Sequence, residues 1–196
     1  MNASLIRRAR LALALPAAAL VMGAAAWHIT PTVVLNKQAD VIKATLPEAR
    51  SFFVRDVKIG KEALAAIHRA ADFTPDEDEF KFYYGKTSDG GAAGVVFFPQ
   101  VNTQHGPFEV GVTVDPSGTV TKVVATKATV ETKPWVEKAI KARLLDHFDG
   151  MHPGDDVGAA LNGVSKAQLG AMPYYVAQEL TKAVGRGLAL YQALYK

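Results

Sequence analysis

Between two valine-rich runs the chain places Asp115-Pro116-Ser117-Gly118. Proline suits the second position of a tight turn and glycine its last, so the backbone reverses here. The flanks, residues 107–115 and 119–126, are dense in Val and Thr, which fit a pleated, half-buried surface. An antiparallel hairpin over residues 107–126 is therefore expected, and a hairpin with an apolar face needs other elements to cover it. Residues 80–84 and 92–99 read as further strands, rich in Phe, Tyr and Val and set off by Gly-, Asp- and Asn-containing turns. Two segments have the spacing of covering helices. Residues 135–149 carry Ile140, Leu144, Leu145 and Phe148 on one face and stop at Gly150. Residues 173–195 carry Val176, Leu180, Val184, Leu188 and Tyr191 on a stripe, with Gly185 and Gly187 inside it. Each glycine weakens a helix by roughly 1 kcal/mol relative to Ala, so a kink or a close contact is expected there.

Upstream, residues 33–49 place Val34, Ala39, Ile42 and Leu46 at helical spacing and end near Pro47. Residues 51–59 alternate as a short strand, and residues 61–71 carry Leu64, Ile67 and Ala71 at helical intervals. The expected architecture is α+β: a central antiparallel sheet with packed helices, preceded by an N-terminal apolar helix.

That first helix is a targeting element. Arg7, Arg8 and Arg10 precede residues 11–29, a run of 19 without a charged side chain. The run is just long enough to span a bilayer, and Ala24-Ala25-Ala26 offers a small-residue cleavage site. Residues 1–30 thus read as a signal peptide or a single transmembrane anchor. Either exports the remainder, residues 31–196, to the periplasmic or outer face, since the arginines favour a cytoplasmic N-terminus.

The net charge is +3, and the three arginines supply all of it. A basic face that would release counterions from phosphates is missing after Arg10, which sets nucleic acid aside. The chain has no cysteine, so disulfides, thiolate metal sites, iron–sulfur clusters and Cys-linked haem are excluded. Asp72, Asp76, Glu77, Asp78 and Glu79 crowd around Pro75, but the ligand order of a calcium loop is absent and a solvated loop is the reading. His147 and His152 stand near Asp146 and Asp149, across a helix end that would splay them. No Gly-x-Ser-x-Gly, phosphate loop or His-Glu-x-x-His is present, leaving hydrolytic catalysis without a candidate.

The stretch Gly163-Val164-Ser165-Lys166-Ala167-Gln168-Leu169-Gly170 runs directly into the C-terminal amphipathic segment. It resembles the turn Ser-Gly-Ala-Thr-(Leu/Ile)-Ser of the FMN-binding domain family of membrane-anchored redox proteins. Other elements fall in the same order. Gly94-Val95-Val96-Phe97-Phe98 resembles the strand before the family's His-containing turn, here Thr103-Gln104-His105-Gly106-Pro107. Residues 110–120 match a valine strand, Asp-x-x-Gly, valine strand element, Glu131-Thr132 matches a Glu-Thr pair, and residues 144–150 resemble Phe-x-x-Gln-Phe-x-Gly.

The resemblance implies an electron-transfer domain in which flavin mononucleotide is esterified through its phosphate to the turn threonine by a flavin transferase. Here Gln168 occupies that position, Lys166 replaces Gly and Gly170 replaces the closing Ser, while Ser165 is kept. An amide cannot form the ester. What the resemblance leaves is FMN held non-covalently, if at all, by Ser165, Lys166, Ala167, Gln168, Leu169, His105 and Gly106, where His105 either stands at the flavin edge or holds its own loop. A small-residue turn ahead of a helix N-terminus suits a phosphate. Lys166 either neutralises that phosphate or is a solvated charge, and Gln168 either donates to it or caps the helix. Trp135, Tyr174 and Tyr175 either stack on the flavin ring or belong to the core. The implied partner is a membrane electron-transfer protein or a multi-subunit redox complex. Two other readings stand beside this one: a cofactor-less domain acting as a structural or assembly subunit, and an exported small-molecule binder reusing the same groove.

Overall fold

The computed structural model describes residues 30–195, so the apolar run at residues 11–29 lies outside the described residues. In chain order the elements are β1 (Thr32–Val34), α1 (Gln38–Thr45), β2 (Ser51–Lys58), α2 (Lys61–Ala71), β3 (Glu79–Lys86), β4 (Ala92–Phe97) and β5 (Gln100–Thr103). They continue with β6 (Gly106–Val114), β7 (Val120–Thr129), α3 (Lys133–Lys141), α4 (Lys166–Leu169) and α5 (Ala171–Leu194). Two 3₁₀ turns, Leu144–Phe148 and Val157–Gly163, lie between α3 and α4.

The hairpin of β6 and β7 is the middle of the sheet. Its turn is held by the Asp115 carboxylate, whose Oδ1 accepts from the Ser117 N–H at 2.8 Å, the Ser117 hydroxyl at 2.6 Å and the Thr119 N–H at 2.9 Å. The Ser117 hydroxyl, more than the backbone donors, holds the Asp115 carboxyl below the usual range. Outward from this hairpin every pairing is antiparallel, in the order β1-β7-β6-β4-β3-β2. β4 and β5 lie in succession along one edge of β6, which at nine residues is long enough for both. They are separated at Phe98-Pro99, where proline lacks the N–H that an unbroken ladder would need.

Alternation sends the two sets of strand side chains to opposite faces. One face carries Phe82, Val95, Phe97, Val110, Val112, Val114 and Val123, and α2, α3, α5 and the 3₁₀ turns close over it as the main core. The other carries Val96 and Tyr83, covered by Val41, Ile42 and Leu46 of α1 and its following turn. The stripe read along the last helix is buried throughout, from Val176 at 0% to Tyr191 at 9% exposure. The α+β class with a central antiparallel sheet and packed helices is thus what the residues build.

Two expectations are corrected. Residues 33–49 do not form one helix: Thr32–Val34 pairs with β7, and the helix is confined to Gln38–Thr45. The β-branched pair Val33-Val34 meets an open strand edge at Lys127 and Ala128, and ladder hydrogen bonds outweigh the helical spacing. Residues 135–149 are also not one helix. Arg143 adopts φ 62°, ending α3, and a 3₁₀ turn follows. The break puts Leu144, Leu145 and Phe148 on the core while leaving Ile140, expected on the same stripe, 38% exposed. β5, formed by Gln100–Thr103, is an additional strand that sequence reasoning did not assign.

Candidate functional site

Ser165 opens α4 as its N-cap. Its hydroxyl oxygen accepts from the Gln168 N–H at 3.2 Å and its O–H donates to Gln168 Oε1 at 3.1 Å. Serine followed three residues later by glutamine is a capping pattern, and the two side chains occupy each other here. Ser165, Lys166, Ala167 and Gln168 are all exposed, whereas Leu169 is 3% exposed and belongs to the main core, so it anchors the turn from beneath. Lys166 forms no ion pair among the described residues. Gly170 follows at φ 86° and caps α5, its carbonyl accepting from the Tyr174 N–H at 3.1 Å.

His105 sits at the β5–β6 turn. Its N–H donates to Thr103 Oγ1 at 3.1 Å, and its carbonyl accepts from the Thr129 hydroxyl at 3.0 Å. The ring lies between two aromatic edges, Trp135 at 5.6 Å and Tyr175 at 5.8 Å, with Glu131 Oε1 3.3 Å from Nδ1. Gly106 is required by the turn itself: φ is 94°, and a Cβ there would come within 2.4 Å of Thr129 Cγ2. Trp135, Tyr174 and Tyr175 are half-buried, packed against the main core without being enclosed by it.

These placements bring the two candidate groups to one end of α5. Tyr175, beside the β5–β6 turn and the start of α3, follows Gly170 by five positions, about 7.5 Å of helical rise. What the two groups offer is an ammonium at Lys166, an exposed turn, and the rims of three half-buried aromatic rings. They do not offer a hydroxyl at position 168, and the Ser165 hydroxyl is engaged in the cap. A phosphoester at the turn position does not fit, whereas aromatic rims and a free ammonium are the kinds of group that a non-covalent flavin would use.

The two histidines weighed as a metal pair go separate ways. His147 Nδ1 lies 2.9 Å from the Ala160 carbonyl, whereas His152 Nε2 lies 3.1 Å from the Thr119 hydroxyl. Sequence reasoning passed over Arg186, which lines a cavity of about 160 Å³ between the loop after α2 and the β4–β5 corner. The signal that could have found it is Gly185-Arg186-Gly187, one long cation flanked by two residues without side chains inside a buried helix.

The fold and site define an antiparallel α+β domain with helices on both faces of one sheet and a capped surface turn before its longest helix. No family model matches the chain, and no curated protein does. The crystal structure of NqrC from Shewanella oneidensis overlays on it with a TM-score of 0.46 at 15% identity, across 79% of this chain and 84% of that one, a distant likeness.

Proposed function

We propose that this protein is an exported, membrane-tethered FMN-binding-type domain that takes part in electron transfer beside a membrane partner or within a multi-subunit redox complex, and that it holds FMN without a covalent link. One observation carries the reading. The His105, Trp135 and Tyr175 rings converge, half-buried, at the start of α5, the helix that follows the turn whose residue pattern resembles the flavin-bearing turn of that family. FMN when bound supplies the redox chemistry, and the protein supplies position and surroundings. In this chain Trp135 and Tyr175 would shield one flavin edge, Lys166 would neutralise the phosphate, and His105, fixed by Thr103, Thr129 and Glu131, would hold a constant orientation at the rim.

A second reading has its own observation. Ser165 and Gln168 satisfy each other, so the turn is complete without a ligand, which favours a cofactor-less assembly subunit. Titrating the full-length chain with FMN and following flavin fluorescence separates the two. Flavin binding predicts saturable quenching, weakened by Trp135→Leu and, by up to roughly fivefold, by Lys166→Ala, the value of a partly solvated charge contact. Absence of saturable quenching at millimolar FMN would leave the scaffold reading in possession.

A further inference from the structure

Arg186 lies 16 positions after Gly170, on the order of 24 Å further along α5, and so belongs to a different part of the molecule from the turn just discussed. Its neighbours have no side chains for a packing reason. A Cβ on Gly187 would come within 2.5 Å of Pro99 Cγ and 3.0 Å of Phe97 Cε2, and one on Gly185 within 2.9 Å of Val157 Cγ2. The two glycines let α5 press against the β4–β5 corner on one side and a 3₁₀ turn on the other. The arginine between them is left to reach across toward the loop that follows α2, where its guanidinium carbon stands 4.9 Å from the centre of the Phe73 ring.

The guanidinium meets the fold through this Phe73 face and is otherwise unpaired among the described residues. Its Nε is buried without a hydrogen-bond partner, and it forms no ion pair among the described residues. Burying such a donor unsatisfied is costly, so its retention beside an open cavity needs a reason. The cavity, about 160 Å³, has Phe73, Phe80, Phe98 and Leu190 among its apolar walls. An apolar cavity of about 150 Å³ is large enough for a benzene ring. At the rim stand Asp76, Glu77 and Glu79, the acidic run that no calcium pattern explained, all exposed and none of them in an ion pair among the described residues.

One half-buried cation and three rim carboxylates around a space of mixed polar and apolar lining constrain the ligand by charge. A simple anion would meet the guanidinium but be repelled by the acids, and a simple cation would face the reverse. A molecule carrying both charges close together, with an apolar body, satisfies the site. We propose that this cavity binds a free α-amino acid with an apolar or aromatic side chain: its carboxylate on Arg186, its ammonium toward Asp76, Glu77 and Glu79, and its side chain against Phe73, Phe80 and Leu190. This inference does not depend on the flavin reading.

Calorimetric titration of the full-length chain with L-phenylalanine and L-leucine tests it, with 3-phenylpropionate and phenethylamine as probes lacking one charge each. The proposal predicts saturable binding of the amino acids and binding weaker by about tenfold or more for either single-charge probe, the worth of a hydrogen bond to a charged group. Arg186→Gln should abolish carboxylate recognition. If that variant fails to fold by circular dichroism, the surface variant Asp76→Asn/Glu77→Gln/Glu79→Gln serves instead, and it should bring phenylalanine down to the level of 3-phenylpropionate. Absence of saturable amino-acid binding at millimolar concentration would overturn the proposal. So would equal affinity for phenylalanine and 3-phenylpropionate, or amino-acid binding unchanged in either variant.

Discussion

Glu109 lies inside β6 with 4% of its surface exposed, and its carboxylate is fully subscribed: Oε1 accepts from Gln38 at 2.9 Å and from the Thr126 hydroxyl at 2.8 Å, while Oε2 faces the Lys127 ammonium at 2.5 Å. A buried carboxylate is tolerated only when paired and hydrogen-bonded, and these three partners meet that condition. Because Gln38 is the first residue of α1, the same carboxylate ties that helix to the sheet on the face with the smaller core. Glu109→Ala removes the acceptor and leaves Thr126 and Gln38 without it. The expected loss is about 1–3 kcal/mol of stability, read from the urea midpoint. Hydrogen exchange should show α1 opening more readily than α5. An unchanged midpoint would mean that solvent already serves these donors.

The last helix is where single elements show how packing and propensity compete. Ala in place of Gly187 gains roughly 1 kcal/mol of helix propensity but drives a methyl group toward the rigid Pro99 ring, an overpacking cost of about 1–3 kcal/mol. Gly187→Ala is therefore expected to unfold at lower urea, and a higher midpoint would deny the close approach. One turn further along α5 a stack runs from Phe97 through Tyr191 to Tyr195, with centroids 5.6 Å and 4.7 Å apart. Burial, helped by the neighbouring Tyr84 and Tyr191, pushes the Tyr195 phenol up from 10.0 to about 12. A folded-state value raised above the unfolded one gives stability that is complete below the unfolded value and is lost as pH rises through the folded one. Wild type should accordingly lose stability relative to Tyr195→Phe between about pH 10 and 12, as measured by urea unfolding across that range. Parallel pH profiles would show the phenol to be solvated in the folded state.

Over the whole molecule, what could be read in advance was what local chemistry dictates. The Asp115–Gly118 turn, the strand at β2, the helical spacing of α2 and the stripe of α5 each carry their own signal, and each element forms where that signal lies. What escaped was decided by distant partners. Val33 and Val34 join the sheet because β7 leaves an edge open to them, and Arg143 breaks a helix because Leu144 and Phe148 are drawn onto the core. The site followed the same division. The Ser165–Gln168 cap is visible as a spacing, whereas the convergence of His105, Trp135 and Tyr175 joins residues that sequence reading could only consider one by one. Arg186 was silent because a cation in a helix ordinarily faces water, and only its contact with Phe73 shows that it is half-buried instead.

On the proposed function, Gln168 would leave the turn able to accompany a flavin but unable to be esterified to one. The most direct measurement is the visible spectrum of the full-length chain saturated with FMN, recorded before and after denaturation and removal of small molecules. The account predicts flavin bands in the folded sample and a colourless denatured chain. Flavin retained on the denatured chain, and located by peptide mapping to residues 163–170, would contradict it.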